Sequence, residues 1–283
     1  PLSSQTKTYV SKFINLQKKY NFSIIEIHNR PSYIKYLVKG ISKKILSLYF
    51  HNDPLSMDGS KTIEERKYLL KNCYKIIFNS NWSKKRFLEG MENKFVNSNK
   101  LVVFYQSAKK GNLSSIKLKK KWITFVGKLN KAKGYDVFSK AIQSILSKFP
   151  DWKAKVIGDE KREKIDLKHK NAEILGFLNH EEVLNIFKKT SIAVACSRWE
   201  EPFGRTSLEA SANGCAVVIT NKGGLPETVS NAIILKSLNP KILEKNLVEL
   251  IKSKNKRIKL QTLSIKNFYL THEFVTKKID NYR

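Results

Sequence analysis

The stretch 197–228 constrains the fold of this chain more than any other part. It reads SRWEEPFGRTSLEASANGCAVVITNKGGLPET, with an apolar run at 192–196 before it and another at 216–220 within it. Residues 205–213 read as a short helix, and Gly214 suits the left-handed position that ends a helix. The resulting order of strand, loop, helix and strand predicts a βαβ unit, with its chemistry at the carboxyl end of the first strand.

Two carboxylates stand in this stretch, because Glu201 and Glu209 are separated by seven residues. Glu201 precedes a proline, which favours an extended backbone, so its side chain should project from the loop. The first amides of the helix, near Arg205 and Thr206, are donors at the positive end of a dipole and suit a phosphate. Glu209, about one turn further in, could reach a sugar hydroxyl on that phosphate. This layout suits a nucleotide-sugar, although two glutamates alone would more simply be a loop charge and a solvated helix residue.

Strands and helices alternate along the rest of the chain, which predicts α/β architecture with parallel sheets and helices on both faces. The predicted strands are 22–27, 45–50, 75–79, 101–105, 122–126, 153–157, 172–175, 192–196 and 216–220. The predicted helices, besides 205–213 and the one that closes the chain, are 5–20, 31–38, 62–72, 80–88, 135–149, 180–189 and a polar, lysine-rich helix around 238–263. The polar, basic segment before Trp122 interrupts the pattern and reads as a linker. The predicted organisation is a partial first domain at 1–108, a linker at 109–121, a second domain at 122–265 and a terminal helix at 266–283 that packs back towards the first domain.

The large positive charge of the chain does not by itself identify its binding partner. The 283 residues include 54 Lys and Arg against 24 Asp and Glu, a formal charge of +30. Nucleic acid and anionic membranes both attract such a chain. The lysines are scattered rather than gathered on an aromatic-studded stripe, which argues against nucleic acid and leaves peripheral contact with acidic lipid headgroups. The three cysteines, Cys73, Cys196 and Cys215, show no metal spacing and favour a cytoplasmic protein, and Cys196 and Cys215 read as small buried apolar residues.

The motifs in 197–228, with Glu201-Pro-Phe-Gly, Glu209 and the Gly-Gly-Leu-Pro-Glu at 223–227, resemble the signature of the family 4 retaining glycosyltransferases. The resemblance implies the GT-B fold of two Rossmann-like domains facing a cleft. It implies transfer of a sugar from a nucleotide donor to a hydroxyl on a glycan or lipid-linked acceptor, as in lipopolysaccharide or other cell-surface glycan synthesis. The sequence shows no metal-binding cluster, and the two lysines Lys128 and Lys133 with the helix amino terminus could replace a cation, so no metal and no cofactor beyond the donor substrate are predicted.

The resemblance also assigns roles to individual residues. Glu201 orients the donor sugar and His51, at a strand end, lines the reaction face, so both are predicted to be catalytic, while Glu209 holds the ribose. The other predicted contacts are Lys128, Lys133, Arg205 and Thr206 for the donor phosphates, Phe203 and Gly204 for the donor sugar, Gly176, Phe177 and Leu178 for the base, and His28 and Arg30 for the acceptor. Family members usually carry arginine at the position of Lys128. A lysine cannot contact the donor phosphate through two parallel hydrogen bonds as an arginine does.

The remaining histidines, His169, His180 and His272, read as surface or capping residues. The opening strand and glycine-rich turn of the family have no counterpart before residue 22, which predicts an amino-terminal truncation. A GT-B nucleotide-sugar epimerase, which would use the same donor pocket without an acceptor, is the principal alternative function. A basic nucleic-acid-binding protein is the other alternative, and it would bind with a steep salt dependence.

Overall fold

The computed structural model describes residues 2–96 and 98–282. The chain divides into two compact units, residues 1–105 and 106–283. Each unit is built on its own parallel sheet, so the predicted α/β class with two sheets is confirmed.

The first unit carries a four-stranded parallel sheet in the order β1-β2-β3-β4. Its strands are β1 (Ile25–His28), β2 (Leu46–Phe50), β3 (Lys75–Phe78) and β4 (Leu101–Val103). Its helices are α1 (Leu2–Tyr20), α2 (Ile34–Leu37), α3 (Ile63–Asn72) and α4 (Asn81–Leu88). The α3 helix begins with a capping box, in which Thr62 and Glu65 satisfy each other's backbone N–H groups. The core packs apolar strand residues such as Leu48 and Phe78 against Phe87 of α4.

The second unit carries a six-stranded parallel sheet in the order β10-β9-β8-β5-β6-β7. Its strands are β5 (Lys120–Val126), β6 (Lys153–Ile157), β7 (Ala172–Ile174), β8 (Thr190–Ala195), β9 (Ala216–Thr220) and β10 (Ile233–Leu235). Its helices are α5 (Tyr135–Lys148), α6 (His180–Lys189), α7 (Arg205–Ala212), α8 (Pro240–Lys252), α9 (Lys254–Lys266) and α10 (His272–Asp280). Its core contains two apolar clusters, one with Ile123, Phe138 and Leu247 and the other with Phe187 and Val217. Both clusters include residues of the central strands β8 and β9, as expected of a sheet covered on both faces.

The boundaries of the units differ from those read off the sequence. The second unit begins at Gln106, so it includes the predicted linker 109–121 as well as the terminal stretch 266–283. That linker contains a 3-10 helix, Leu113–Leu118, and the start of β5. The Lys119 ammonium group anchors it by donating to the carbonyl oxygens of Phe187 and Asn213, at 2.8 and 2.7 Å. The predicted linker is therefore a structured part of the second unit. Its polar composition gave no indication of the buried carbonyl oxygens that hold it.

Two further elements differ from the sequence prediction. The long polar helix expected around 238–263 is two helices, because Ser253 ends α8 and its side chain caps α9. The three-residue strand β10 was not predicted at all. Cys196 and Cys215 are free and buried, as predicted, and Cys73 is free and buried as well. Burial raises the pKa of the Cys73 and Cys196 thiols to about 12. None of the helices in the described part of the chain is long and apolar enough to cross a membrane.

Candidate active site

A cavity of about 240 Å³ lies in the second unit, where the loops after β5 and β8 meet the amino terminus of α7. The carboxyl ends of parallel strands form the usual ligand edge of such a sheet. The residues that line the cavity include Gly127, Lys133, Ser197, Glu201, Gly204, Arg205 and Thr206. The structure therefore brings together five of the predicted donor-site residues, Lys133, Glu201, Gly204, Arg205 and Thr206.

Glu201 supplies a carboxylate to this cavity, and 13% of its side chain is exposed. Its Oε1 accepts a hydrogen bond from the Ser197 hydroxyl at 2.7 Å and forms an ion pair with the Lys133 ammonium group. Its carbonyl oxygen accepts from the Gly224 N–H at 2.6 Å. A Cβ on Gly223 would lie 2.1 Å from the same oxygen, and the φ of Gly223 is +59°. The glycine pair at 223–224 thus lets one loop pack directly on the backbone of Glu201.

The loop that carries Lys133 is fixed to the loop that carries Glu201. The carbonyl oxygen of Ala132 accepts hydrogen bonds from the backbone N–H groups of Arg198 and Trp199, at 2.9 and 3.0 Å. Gly134, with φ +72°, starts α5 so close to the other loop that a Cβ would lie 2.0 Å from the Cys196 carbonyl oxygen. The ion pair between Lys133 and Glu201 is therefore supported by backbone contacts on both sides.

A Gly134→Ala substitution should destabilise the second unit far more than Gly176→Ala. Both glycines have positive φ, +72° and +65°, so each substitution costs about 1–2 kcal/mol of backbone strain. At Gly176 nothing lies within 4 Å of the new Cβ, whereas at Gly134 the Cβ meets backbone and adds about 1–3 kcal/mol of overpacking. Urea unfolding followed by circular dichroism measures the difference. Equal losses in the two variants would contradict the packing of the two loops.

Gly204 places the amino terminus of α7 at the cavity. Its φ of +112° favours glycine, and an added Cβ would lie 2.5 Å from Leu225 Cδ2, so the Leu225 side chain would have to move. Phe203, immediately before it, is 2% exposed and holds the loop in the core. The amides of Arg205 and Thr206 belong to the first turn, which an α-helix leaves without internal acceptors. This end of α7 can therefore receive an anion in the cavity.

Glu209 lies one turn into α7 and is buried, with 6% of its surface exposed. Its Oε1 accepts from the Arg205 guanidinium, at 2.9 and 3.1 Å, and lies 2.9 Å from Nε2 of His180. His180 is exposed, as predicted, but its ring also contacts Glu209, the residue predicted to hold the ribose. The sequence signal that placed His180 near the site was its position just after the strand-end turn at 176–178. The contact itself depends on how α6 packs against α7, which sequence spacing does not give.

The predicted base-binding turn follows β7. The Gly176 carbonyl oxygen accepts from the Gly158 N–H at 2.7 Å, which fixes the turn to the end of β6. The Phe177 side chain is 81% exposed, while Leu178 packs against the core. An exposed ring on a fixed turn offers a flat apolar surface to an aromatic ligand. Lys128, in the loop after β5, is exposed and does not line the cavity described above.

In the first unit, His51 follows β2 and His28 ends β1. Nε2 of His51 lies 2.8 Å from Nδ1 of His28, so the predicted catalytic and acceptor histidines form a pair. Burial, and then His28, lowers the pKa of His51. Arg30 is exposed and donates to the carbonyl oxygen of Asn29 at 2.9 Å. Among the described residues, no three His, Cys, Asp or Glu side chains are grouped to hold a metal ion.

Comparison with known proteins decides the family. Residues 107–266 match the family described as glycosyl transferases group 1. The chain belongs to this family of glycosyltransferases. The matched residues include the whole cavity-lining set, from Phe125 to Leu225.

Individual relatives of this glycosyltransferase agree with the assignment. Spore coat protein SA of Bacillus subtilis is 26% identical over 274 residues, which cover 86% of this chain and 72% of that protein. The lipopolysaccharide core biosynthesis mannosyltransferase LpsB of Rhizobium meliloti is 31% identical over 121 residues, 39% of this chain and 34% of the relative. Across three curated relatives, the matched part spans 59% to 72% of their length.

A solved structure supports the fold. The crystal structure of Anabaena Alr3699/HepE in complex with UDP and glucose is 17% identical and has a TM-score of 0.76. The match covers 96% of this chain and 80% of the Anabaena chain. At this identity the similarity establishes the fold alone, which is the one predicted for the GT-B glycosyltransferases.

Proposed function

We propose that this glycosyltransferase moves a hexose from a nucleotide-sugar donor to a hydroxyl acceptor with retention of anomeric configuration. The product would belong to lipopolysaccharide or another cell-surface glycan. The observation that carries the proposal is the cavity itself, which places Lys133, Glu201 and the amino terminus of α7 around one space. A cation, a carboxylate and unpaired amides suit a ligand with both phosphates and sugar hydroxyls.

The donor phosphates would lie against the positive groups of the cavity. Lys133 is one-third exposed and exchanges its ion pair with Glu201 for a phosphate oxygen when the donor enters. The first amides of α7, at Arg205 and Thr206, bind the distal phosphate, and Lys128 closes on the diphosphate from the adjoining loop. Negative charge grows on the diphosphate as the glycosidic bond breaks, and groups already oriented towards it stabilise that state.

The other parts of the donor would occupy the neighbouring turns. The carboxylate of Glu201, with the backbone of Phe203 and Gly204, orients the transferred sugar. Glu209 accepts from the ribose hydroxyls, and the turn at 176–178 binds the base, with Phe177 covering its face. UDP bound to the Anabaena protein, which shares the fold, supports a uridine nucleotide as the first donor to test.

The acceptor would be a glycan or a lipid-linked glycan bound by the first unit through His28 and Arg30, with His51 near the reacting sugar. Peripheral contact with an anionic membrane would suit a lipid-linked acceptor. The formal charge of +30 favours such a contact, and salt would screen it. The mannosyltransferase LpsB, among the relatives, supports the assignment to lipopolysaccharide or a related glycan.

A donor screen tests this proposal. One of UDP, GDP and ADP should raise the melting temperature, since a ligand at 100 times its Kd stabilises the folded state by about 2.7 kcal/mol. With the matching donor sugars and a sugar acceptor, proton NMR of the product then gives its anomeric configuration. An inverted anomeric configuration in the product would contradict retention. An epimer of the donor sugar, formed without any acceptor, would show that the protein is an epimerase and not a transferase. No shift with any of the three nucleotides would overturn the donor site.

A further inference from the structure

The two parallel strands β1 and β2 bring an aromatic pair together at their carboxyl ends. The imidazole rings of His28 and His51 lie 5.1 Å apart with an interplanar angle of 4°. The ring of His28 also stacks on Tyr49, at 4.5 Å and 14°. Nδ1 of His28 and Nε2 of His51 are 2.8 Å apart, which is hydrogen-bond distance.

This hydrogen bond holds a single proton when both rings are neutral. Either His28 Nδ1–H donates to His51, or His51 Nε2–H donates to His28, and each choice fixes the tautomer of both rings. In the first case the remaining proton of His51 is on Nδ1, which is then a donor. In the second case Nδ1 of His51 carries a lone pair and is an acceptor.

Glu26 distinguishes the two cases. Its Oε2 lies 3.8 Å from Nε2 of His28, and its Oε1 accepts from the Tyr49 hydroxyl at 2.9 Å. A carboxylate beside Nε2 favours the proton on that nitrogen, as when a histidine is oriented by an acidic partner. Nδ1 of His28 is then the acceptor, and the shared proton belongs to Nε2 of His51.

We propose that Glu26 and His28 are positioning residues that hold His51 as the Nε2–H tautomer, with Nδ1 presented as a hydrogen-bond acceptor for a sugar hydroxyl. Only the identity of that hydroxyl rests on the proposed transferase function. The tautomer follows from the arrangement of Glu26, His28 and His51 in the first unit.

The surroundings of His51 are consistent with this assignment. Its backbone N–H donates to the Asn29 side chain at 2.8 Å, and its carbonyl oxygen accepts from the Asn79 side chain at 2.9 Å. The backbone that carries the imidazole ring is therefore held by hydrogen bonds on both sides. Burial lowers the pKa of His51, and His28 lowers it further, so the ring is neutral at pH 7.

Charged and titratable groups reach the pair from several elements. Tyr9 of α1, Glu26, Arg30 and Tyr33 line one cavity together with His28, and Tyr49 of β2 stacks on His28. Of these groups, Glu26 is the one described in a salt-bridge contact with the histidine pair.

The test is a measurement of the imidazole nitrogens of the ¹⁵N-labelled full chain by long-range proton–nitrogen NMR at pH 7, without any donor. The chain has five histidines, so single His→Gln variants assign the signals. We expect the unprotonated type of shift for Nδ1 of His51 and the protonated type for Nε2. The reverse pattern in the unsubstituted protein would overturn the proposal.

Two variants separate positioning from simple structural support. Glu26→Gln removes the carboxylate charge, and His28→Phe keeps a stacked ring without the acceptor nitrogen, so both should move His51 towards a mixture of tautomers. Glu273→Gln, on α10, is the matched control and should leave the His51 signals unchanged. An unchanged His51 pattern in both test variants, with the backbone amide spectrum intact, would contradict the roles of Glu26 and His28.

The acid limb of the reaction profile gives a second readout. Removing His28 removes a group that lowers the pKa of His51, so the loss of kcat/KM on acidification should begin at a higher pH in His28→Phe. An acid limb that does not move in this variant would contradict the coupling of the two rings. The nitrogen shifts are measured without sugar transfer, so an inactive protein with the expected shifts would overturn the proposed function and leave the tautomer intact.

Discussion

The affinity of the protein for its nucleotide should fall about 100-fold when Glu209 is replaced by alanine. The carboxylate is positioned to accept from ribose hydroxyls, and hydrogen bonds to a charged group contribute about 1.5–3 kcal/mol each. Losing one or two of them amounts to about 3 kcal/mol, or two factors of ten in Kd. Titration calorimetry with the nucleotide identified by the donor screen measures the change.

The surroundings of Glu209 explain why the loss should be large. The carboxylate is buried, and its contacts with Arg205 and His180 all use Oε1. These two side chains set the direction of the carboxylate before the ligand arrives, so little ordering is needed on binding. In Glu209→Ala, the Arg205 guanidinium and the His180 ring both lose their hydrogen-bond partner, and the guanidinium is no longer held in this position.

The control for this experiment is Glu249→Ala, which removes an exposed carboxylate of α8 that is paired with Lys256 of α9. It should bind the nucleotide as the unsubstituted protein does. Circular dichroism must show the same helix content in both variants. Nucleotide affinity within about twofold of the original in a folded Glu209→Ala protein would rule out the ribose assignment.

The sequence was sufficient for the regular part of the fold. Apolar runs gave nine of the strands, and most helix limits agree within two residues, because buried parallel strands and capped helices leave local signals. Strand β10 was missed because Ile233–Leu235 is only three residues long and is defined by pairing with β9. The break between α8 and α9 was missed because it falls at a serine, Ser253, and no glycine or proline marks the end of a helix in this lysine-rich run.

The candidate site could be predicted only where it follows strand ends. Glu201 and Lys133 lie in loops that follow predicted strands, and Gly204 immediately precedes a helix, so topology alone brings them to one edge of the sheet. The contact of His180 with Glu209 and that of Ser197 with Glu201 depend on helix packing and rotamers. The pairing of His28 with His51 likewise required the register of β1 on β2.

Replacing Glu201 with glutamine should lower kcat by about 100-fold while nucleotide affinity changes little, because the carboxylate is assigned to the transferred sugar and not to the nucleotide. Glutamine keeps the size of the side chain and can still accept from Ser197, so the loop should remain in place. What it loses is the negative charge that pairs with Lys133. Steady-state kinetics with saturating donor measure kcat, and calorimetry measures the affinity.

The neighbouring carboxylate supplies a control one residue away. Glu200→Gln has the same change in charge at an exposed site, where Glu200 pairs with Lys222 at 2.9 Å, and should retain most of the activity. Because the two variants share loop and chemistry, a general effect of charge on this loop would lower kcat in both. A selective loss in Glu201→Gln follows only if that carboxylate contacts the reacting sugar. Equal kcat values in the two variants would remove Glu201 from the catalytic step and leave Lys133 and the α7 amides as a nucleotide-binding site alone.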